Sequence, residues 1–160
     1  MVSGLQMKSA IKRLFMQIAP QWTTALQSSR ARAYSQRVIA GWGCDRLNTR
    51  LADEFGMTVM EGPFQGMKLT SDALREQFGP YLFGVYESEL DEVWLSLSQF
   101  SYGQIVDIGS KFGYYAVGLA RRYPDADVIA FDTDWWARAA TRRMAQLNVT
   151  ERVSVRSFCS

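Results

Sequence analysis

The chemistry in this sequence concentrates in one run, Val106-Asp107-Ile108-Gly109-Ser110-Lys111-Phe112-Gly113-Tyr114-Tyr115, and in one acid further along. An apolar stretch ends in a carboxylate and turns through two glycines into a helical pattern. Open α/β sheets bind their ligands at such carboxyl ends of strands, and the free amides at the start of the following helix can hold an anionic group. Gly109 permits a tight turn and close ligand approach, and Gly113 lets helix and strand pack closely. The spacing is D-x-G-x-x-x-G. Neither G-x-G-x-x-G nor G-x-x-x-x-G-K-[ST] occurs, so the pattern is not that of a dinucleotide fingerprint or a P-loop. Asp132 closes the next apolar run, Val128-Ile129-Ala130-Phe131, 19 residues after Gly113. From there it can accept hydrogen bonds from both hydroxyls of an adenosine ribose.

These residues require a sheet to hold them. The sequence predicts a strand at Gln104–Ile108, a helix over 113–122, a strand at Asp127–Phe131, a helix over 134–147 capped by Asp134, and a strand over 152–156. A β-α-β-α-β succession implies an α/β fold with parallel strands and right-handed crossovers. Ahead of it, Met7, Ile11, Leu14, Phe15 and Ile18 form one face of a helix stopped by Pro20. A second helix is expected over 22–40, before Gly41-Trp42-Gly43, and a third through Leu47, Leu51 and Phe55, ending at Gly56. A small hairpin is expected from 57–60 and 67–69. Ser71 or Asp72 should cap a short helix ending at Gly79-Pro80, and a longer helix should carry Tyr86, Leu90, Val93, Trp94 and Leu97 on one face. The organisation is a basic helical region (1–56), a lead-in (57–103) and the sheet segment (104–160).

The glycine turn together with the spaced acid resembles motif I and the following acidic strand of class I S-adenosylmethionine-dependent methyltransferases, in particular the FkbM type. The likeness covers 104–160 and extends weakly to Glu61-Gly62-Pro63-Phe64-Gln65-Gly66-Met67 and Leu82-Phe83-Gly84-Val85-Tyr86-Glu87. The resemblance implies a Rossmann-like sheet preceded by helices, with S-adenosyl-L-methionine as cofactor and methyl transfer to the oxygen of a small or sugar-like acceptor. It implies that Asp107 orients the turn and the amino group of the cofactor's methionine part, that Gly109 and Gly113 approach that part, and that Asp132 holds the ribose. Ser110 and Thr133 belong to the same implied binding set. Lys111 stands where many members have Gly or Asn, and its ammonium either pairs with the cofactor carboxylate or points into solvent. Where members often carry an acid for adenine, this chain has Phe158-Cys159-Ser160. Trp135 is the better candidate to face adenine, because Trp136 falls on a core stripe with Ala140, Met144 and Leu147.

Composition narrows the remaining chemistry. The 160 residues are 48% hydrophobic, enough for a packed core, and contain no histidine. That removes the commonest general base, the usual triads and most transition-metal sites from these residues. Cys44 and Cys159 form no metal-binding or disulfide pattern. With no apolar run long enough to span a bilayer and no signal-like start, the expectation is a cytoplasmic protein. The net charge of +2 hides two unlike halves: residues 1–50 carry 8 Lys or Arg against Asp45 alone, whereas 51–160 carry 10 bases against 15 acids. A basic leader can meet nucleic acid, a membrane surface or an acidic neighbour in its own fold. Its bases are spread along helices, which favours the neighbour and gives no strong nucleic-acid signal.

Only the first three strands of a seven-stranded methyltransferase sheet can be counted, so the chain is expected to be an N-terminal part without its acceptor site. Two crossover helices should cover part of each sheet face and leave the first strand as an edge open to self-association. The alternative reading is a catalytically inactive adenosine-binding or protein-interaction module. A nicotinamide-dependent oxidoreductase is disfavoured by the glycine spacing.

Overall fold

The computed structural model describes residues 20–158, so the helix expected from Met7 to Ile18 and the residues Cys159 and Ser160 lie outside the described residues. Two helices open the described chain, α1 (Pro20–Gly41) and α2 (Cys44–Phe55), joined at Gly43. Gly56 ends α2 as expected, donating its N–H to the Ala52 carbonyl with φ 78°. The sheet segment follows the expected order: β1 (Gln104–Ile108), α5 (Tyr114–Arg122), β2 (Asp127–Phe131), α6 (Trp135–Leu147) and β3 (Val153–Arg156). All pairings are parallel in the order β1-β2-β3, with Ile105 opposite Val128 and Val128 opposite Val153.

The lead-in departs from its sequence pattern in three places. The expected hairpin contracts to a single antiparallel bridge between Thr58 and Lys68, flanked by bonds from the Val59 N–H to the Met67 carbonyl and from the Leu69 N–H to the Met57 carbonyl. The helix expected to end at Gly79-Pro80 is instead a 3-10 turn at Ser71–Arg75 followed by α3 (Phe78–Phe83), which begins just before the proline. Pro80 lies in the first turn of α3, where its missing N–H would have had no helical partner. Neither Ser71 nor Asp72 caps that turn; Thr70 precedes it without a side-chain cap bond. Finally, the long helix through Tyr86 is reduced to a 3-10 turn at Ser88–Leu90 and α4 (Asp91–Leu97), because Glu87 adopts a left-handed φ of 52° that a continuous helix cannot contain.

One core joins the lead-in to the sheet segment. Val59, Phe64, Met67, Leu69, Phe78, Tyr81 and Leu82 share a buried cluster with Phe112, Tyr114, Val117, Ala140 and Met144. Asn148, just past α6, reinforces the junction. Its side-chain amide donates to the Lys68 carbonyl and its oxygen accepts from the Lys68 N–H, at 2.8 and 2.9 Å. A second cluster of Ala116, Ala120, Val128 and Ala130 seats α5 on the sheet.

Both crossover helices lie on the same face of the sheet, which corrects the expectation that they would divide between the two. Right-handed crossovers through consecutive strands β1, β2 and β3 move in one direction and deliver their helices to one side. The Gly113 end of α5 accordingly packs against Thr141 of α6. On the opposite face of β1, Val106 and Ile108 remain 49% and 72% exposed. Ala140 and Met144 of the expected α6 stripe are fully buried, whereas Leu147 is exposed at the helix end.

The tightest helix contact is at Gly118, where an added Cβ would lie 2.5 Å from the Phe64 ring. That ring is held edge-on by Tyr114 and Tyr115, with centroids 5.2 and 5.7 Å away, and so has little room to retreat. Ala is intrinsically better than Gly in a helix by about 1 kcal/mol, whereas overpacking costs about 1–3 kcal/mol. With the ring unable to retreat, the cost falls toward the upper end, and Gly118→Ala should destabilise the protein by up to about 2 kcal/mol in urea unfolding. A neutral or stabilising change would mean that Phe64 swings aside.

Candidate functional site

The glycine turn after β1 is held by the end of β2. The Phe131 carbonyl accepts from the Gly109 N–H at 2.7 Å and from the Ser110 N–H at 3.1 Å. The Asp132 carboxylate completes the clamp, accepting from the Lys111 N–H at 2.9 Å and from the Asp134 N–H at 2.8 Å, one on each oxygen. It thus ties the turn after β1 to the turn after β2. A carboxylate oxygen can accept more than one hydrogen bond, so both oxygens keep acceptor capacity for a ligand hydroxyl.

Asp107 occupies the other side of the turn. It makes no hydrogen bond to the turn; the Ala116 N–H in the first turn of α5 favours its charged form. Burial outweighs that help and, with a smaller contribution from the nearby Asp132 charge, pushes its carboxyl up to about 6. One oxygen, Oδ2, is buried without a hydrogen-bond partner. An unpaired buried carboxylate oxygen is costly and uncommon, and this one sits at the end of a strand beside a glycine turn.

The other expected residues take different positions. Gly109, at φ 89°, has no atom within 4 Å of where a Cβ would stand, so the turn has open space at that point. Gly113, at φ 91°, faces helix α6, where a Cβ would lie 3.0 Å from Thr141 atoms; its packing partner is a helix and not the strand. The Ser110 hydroxyl is buried against the Thr141 hydroxyl at 3.2 Å, leaving no part of its side chain at the surface of the turn. Thr133 is half-buried between Asp132 and Asp134. Lys111 is half exposed to solvent and also has a partner within the chain. It takes a left-handed φ of 53°, a conformation that Gly and Asn adopt more readily, and its ammonium pairs with the buried Glu76 at 2.7 Å. Phe158 is exposed, and the two residues after it lie outside the described residues.

Three contacts at this end of the sheet have no signal in the local sequence. Arg32 of α1 places Nη1 at 2.6 and 2.5 Å from the two oxygens of Asp134, which also caps α6 by accepting from the Trp136 N–H at 2.9 Å. Its guanidinium lies over both Trp135 and Trp136, 5.7 and 5.3 Å from the rings. The acidic neighbour expected for the basic leader is therefore Asp134. Glu87 accepts from the Tyr115 hydroxyl at 2.5 Å, and burial followed by this carboxylate pushes the phenol well above its ordinary value. Glu76 makes the third, with Lys111. Only the chain's tertiary path brings these partners together.

The arrangement can hold a cationic group at Asp107 and a hydroxyl pair at Asp132 across the open turn at Gly109. Among the described residues no cluster of metal-binding side chains occurs, and no helix is long and apolar enough to cross a membrane. No family model and no curated protein matches the chain. A solved structure of coclaurine N-methyltransferase bound to N-methylheliamine and SAH is similar at 16% sequence identity and a TM-score of 0.40, over 92% of this chain. The chain spans about half the length of that protein, 49%.

The raised Asp107 carboxyl has a consequence for stability. A folded value of about 6 against an ordinary 3.8 means that the folded protein binds the proton more tightly than the unfolded chain. The stability this lends is full below the unfolded value and is lost as pH rises through 6. Relative to the parent, Asp107→Asn should therefore gain roughly 1–3 kcal/mol between pH 4 and pH 8 in thermal or urea unfolding. A difference between the two proteins that does not change with pH would place Asp107 in an ordinary solvated setting.

Proposed function

We propose that the chain forms the cofactor-binding part of a class I S-adenosylmethionine-dependent methyltransferase. The observation that carries this reading is the pair of carboxylates flanking the open glycine turn. Asp107 offers a buried oxygen without a partner, and Asp132 is held rigid by two backbone amides yet retains acceptor capacity. These residues fit the two polar ends of S-adenosylmethionine: an ammonium beside Asp107 would restore the missing partner, and ribose hydroxyls would use the remaining lone pairs of Asp132. When bound, this cofactor supplies a methyl group activated by its sulfonium.

The chain's own residues then bind and orient. Asp107 must ionise to pair with a cation, so binding is coupled to loss of its proton and weakens as pH falls through 6. Gly109 leaves room for close approach at the turn. Gly113 and Ser110 serve from behind, seating α5 against Thr141 so that the turn stays fixed. Trp135, exposed beside Asp132 and Asp134, is the side chain we assign to adenine, and Thr133 lies within the same stretch. By the resemblance, the type is FkbM and the acceptor is the oxygen of a small or sugar-like molecule, carried by segments beyond a fourth strand. Among the described residues β1 pairs with β2 on one edge only, and its open edge supports a sheet that continues past it in the whole protein.

The test is calorimetry with S-adenosylhomocysteine, which keeps both the amino-acid part and the ribose. Binding is expected at pH 8, and Asp132→Asn should weaken it by about 1.5–3 kcal/mol, roughly ten- to a hundredfold. Thermal unfolding of the same samples checks that the turn survives the substitution. Unchanged affinity, or preference for a nicotinamide dinucleotide over the adenosyl thioether, would overturn the reading.

A further inference from the structure

The basic leader sets only one of its described arginines against the sheet segment, Arg32. Away from that contact, the connection between α1 and α2 carries a second feature. Trp42, in the Gly41-Trp42-Gly43 turn, is 83% exposed, and Leu47 on the first turns of α2 is 55% exposed. With Arg46, Arg50 and Gly43 they line one shallow surface depression. Arg46 folds back toward the turn, its Nη2 3.4 Å from where a Gly43 Cβ would stand. Among the described residues neither Arg46 nor Arg50 forms an ion pair, although Asp45, Asp53 and Glu54 lie on the same helix. Arg30, Tyr34 and Arg37 are exposed on one side of α1, at the i, i+4, i+7 spacing. The first fifty residues contain a single acid against eight bases.

We propose that this helical corner is an anchor for the surface of an anionic lipid bilayer. The depression combines the two signals a peripheral membrane site needs: an apolar pair that gains by leaving water, and fixed cations that are drawn to acidic headgroups. An indole is the side chain best suited to the headgroup boundary, because its ring is apolar and its N–H seeks a polar partner. Leu47 deepens the apolar part but has no face on which a base could stack. Single-stranded nucleic-acid sites instead present successive aromatic platforms along a basic groove. The corner is formed where two helices meet, which suits shallow insertion between headgroups. The corner shares no residue with the turn after β1, so lipid binding there is independent of chemistry at that turn.

Flotation of the full 160-residue chain with vesicles tests it, using phosphatidylcholine alone and phosphatidylcholine with one third phosphatidylglycerol. The protein is expected to float with the mixed vesicles, to stay behind with phosphatidylcholine alone, and to be released by high salt. Trp42→Ser, and separately Arg46→Ala with Arg50→Ala, should each lower the vesicle partition by roughly tenfold without moving the thermal unfolding midpoint. Absence of binding to the anionic vesicles would overturn the proposal, as would equal flotation of the variants. Tighter binding of the chain to a single-stranded RNA than to the vesicles would also overturn it and reassign the patch to nucleic acid.

Discussion

Two backbone amides converging on one carboxylate hold this end of the molecule in shape. Asp132 accepts from Lys111 on the first strand's turn and from Asp134 on the second's, so the two turns cannot move independently. Charge-assisted bonds of this kind are roughly twice as strong as neutral ones. The Phe131 carbonyl adds two more bonds to the same turn. With the turn fixed, α5 must start at Tyr114, its Ala116 amide must face Asp107, and Gly113 must meet Thr141. The open space at Gly109 is what remains once those positions are set.

Around this clamp the protein accepts arrangements that cost stability. Asp107 is a carboxylate held where burial disfavours its charge, and Lys111 is a side chain forced into a left-handed backbone. Strain and unpaired charge of this sort persist only where the surrounding packing over-determines them. The lead-in supplies part of that packing through Glu76 on Lys111, Glu87 on Tyr115 and Arg143 on Asp72. α1 adds Arg32 on Asp134 from the other side. The ion pairs are partly exposed and individually modest; Glu76 and Arg32 tie the lead-in and α1 to the turns at the strand ends, and Asp72 ties the lead-in to α6.

The sheet segment was readable in the sequence almost residue by residue. Apolar runs such as Val128-Ile129-Ala130-Phe131, bounded by Asp127 and Asp132, leave little choice of strand limits, and Asp134 caps α6 as its position suggested. The lead-in was harder to read for a physical reason: its conformation is set by what it packs against. Glu87 breaks a helical pattern in the place where its carboxylate reaches Tyr115, and Pro80 is carried inside a helix whose residues Phe78, Tyr81 and Leu82 are anchored in the shared core. Of the candidate site, the two acids and the glycines stand out by spacing alone. The partners that settle the side chains of Lys111, Ser110 and Asp134 lie far away in sequence, with Arg32 and Asp134 102 residues apart. The placement of both crossover helices on one face followed from strand order, which spacing does not reveal.

If Asp107 is held ready for a cation at the mouth of the turn, its carboxyl proton reports on that directly. A carbon-detected NMR titration of the Asp107 side chain should place its pKa near 6 in the protein alone. Saturating S-adenosylhomocysteine should lower it by about one unit or more, because an ammonium beside the carboxylate favours its charged form. The same adenosine thioether without its amino-acid part should leave it where it was. An ordinary carboxylate value in the protein alone, or a titration that S-adenosylhomocysteine does not move, would contradict the account.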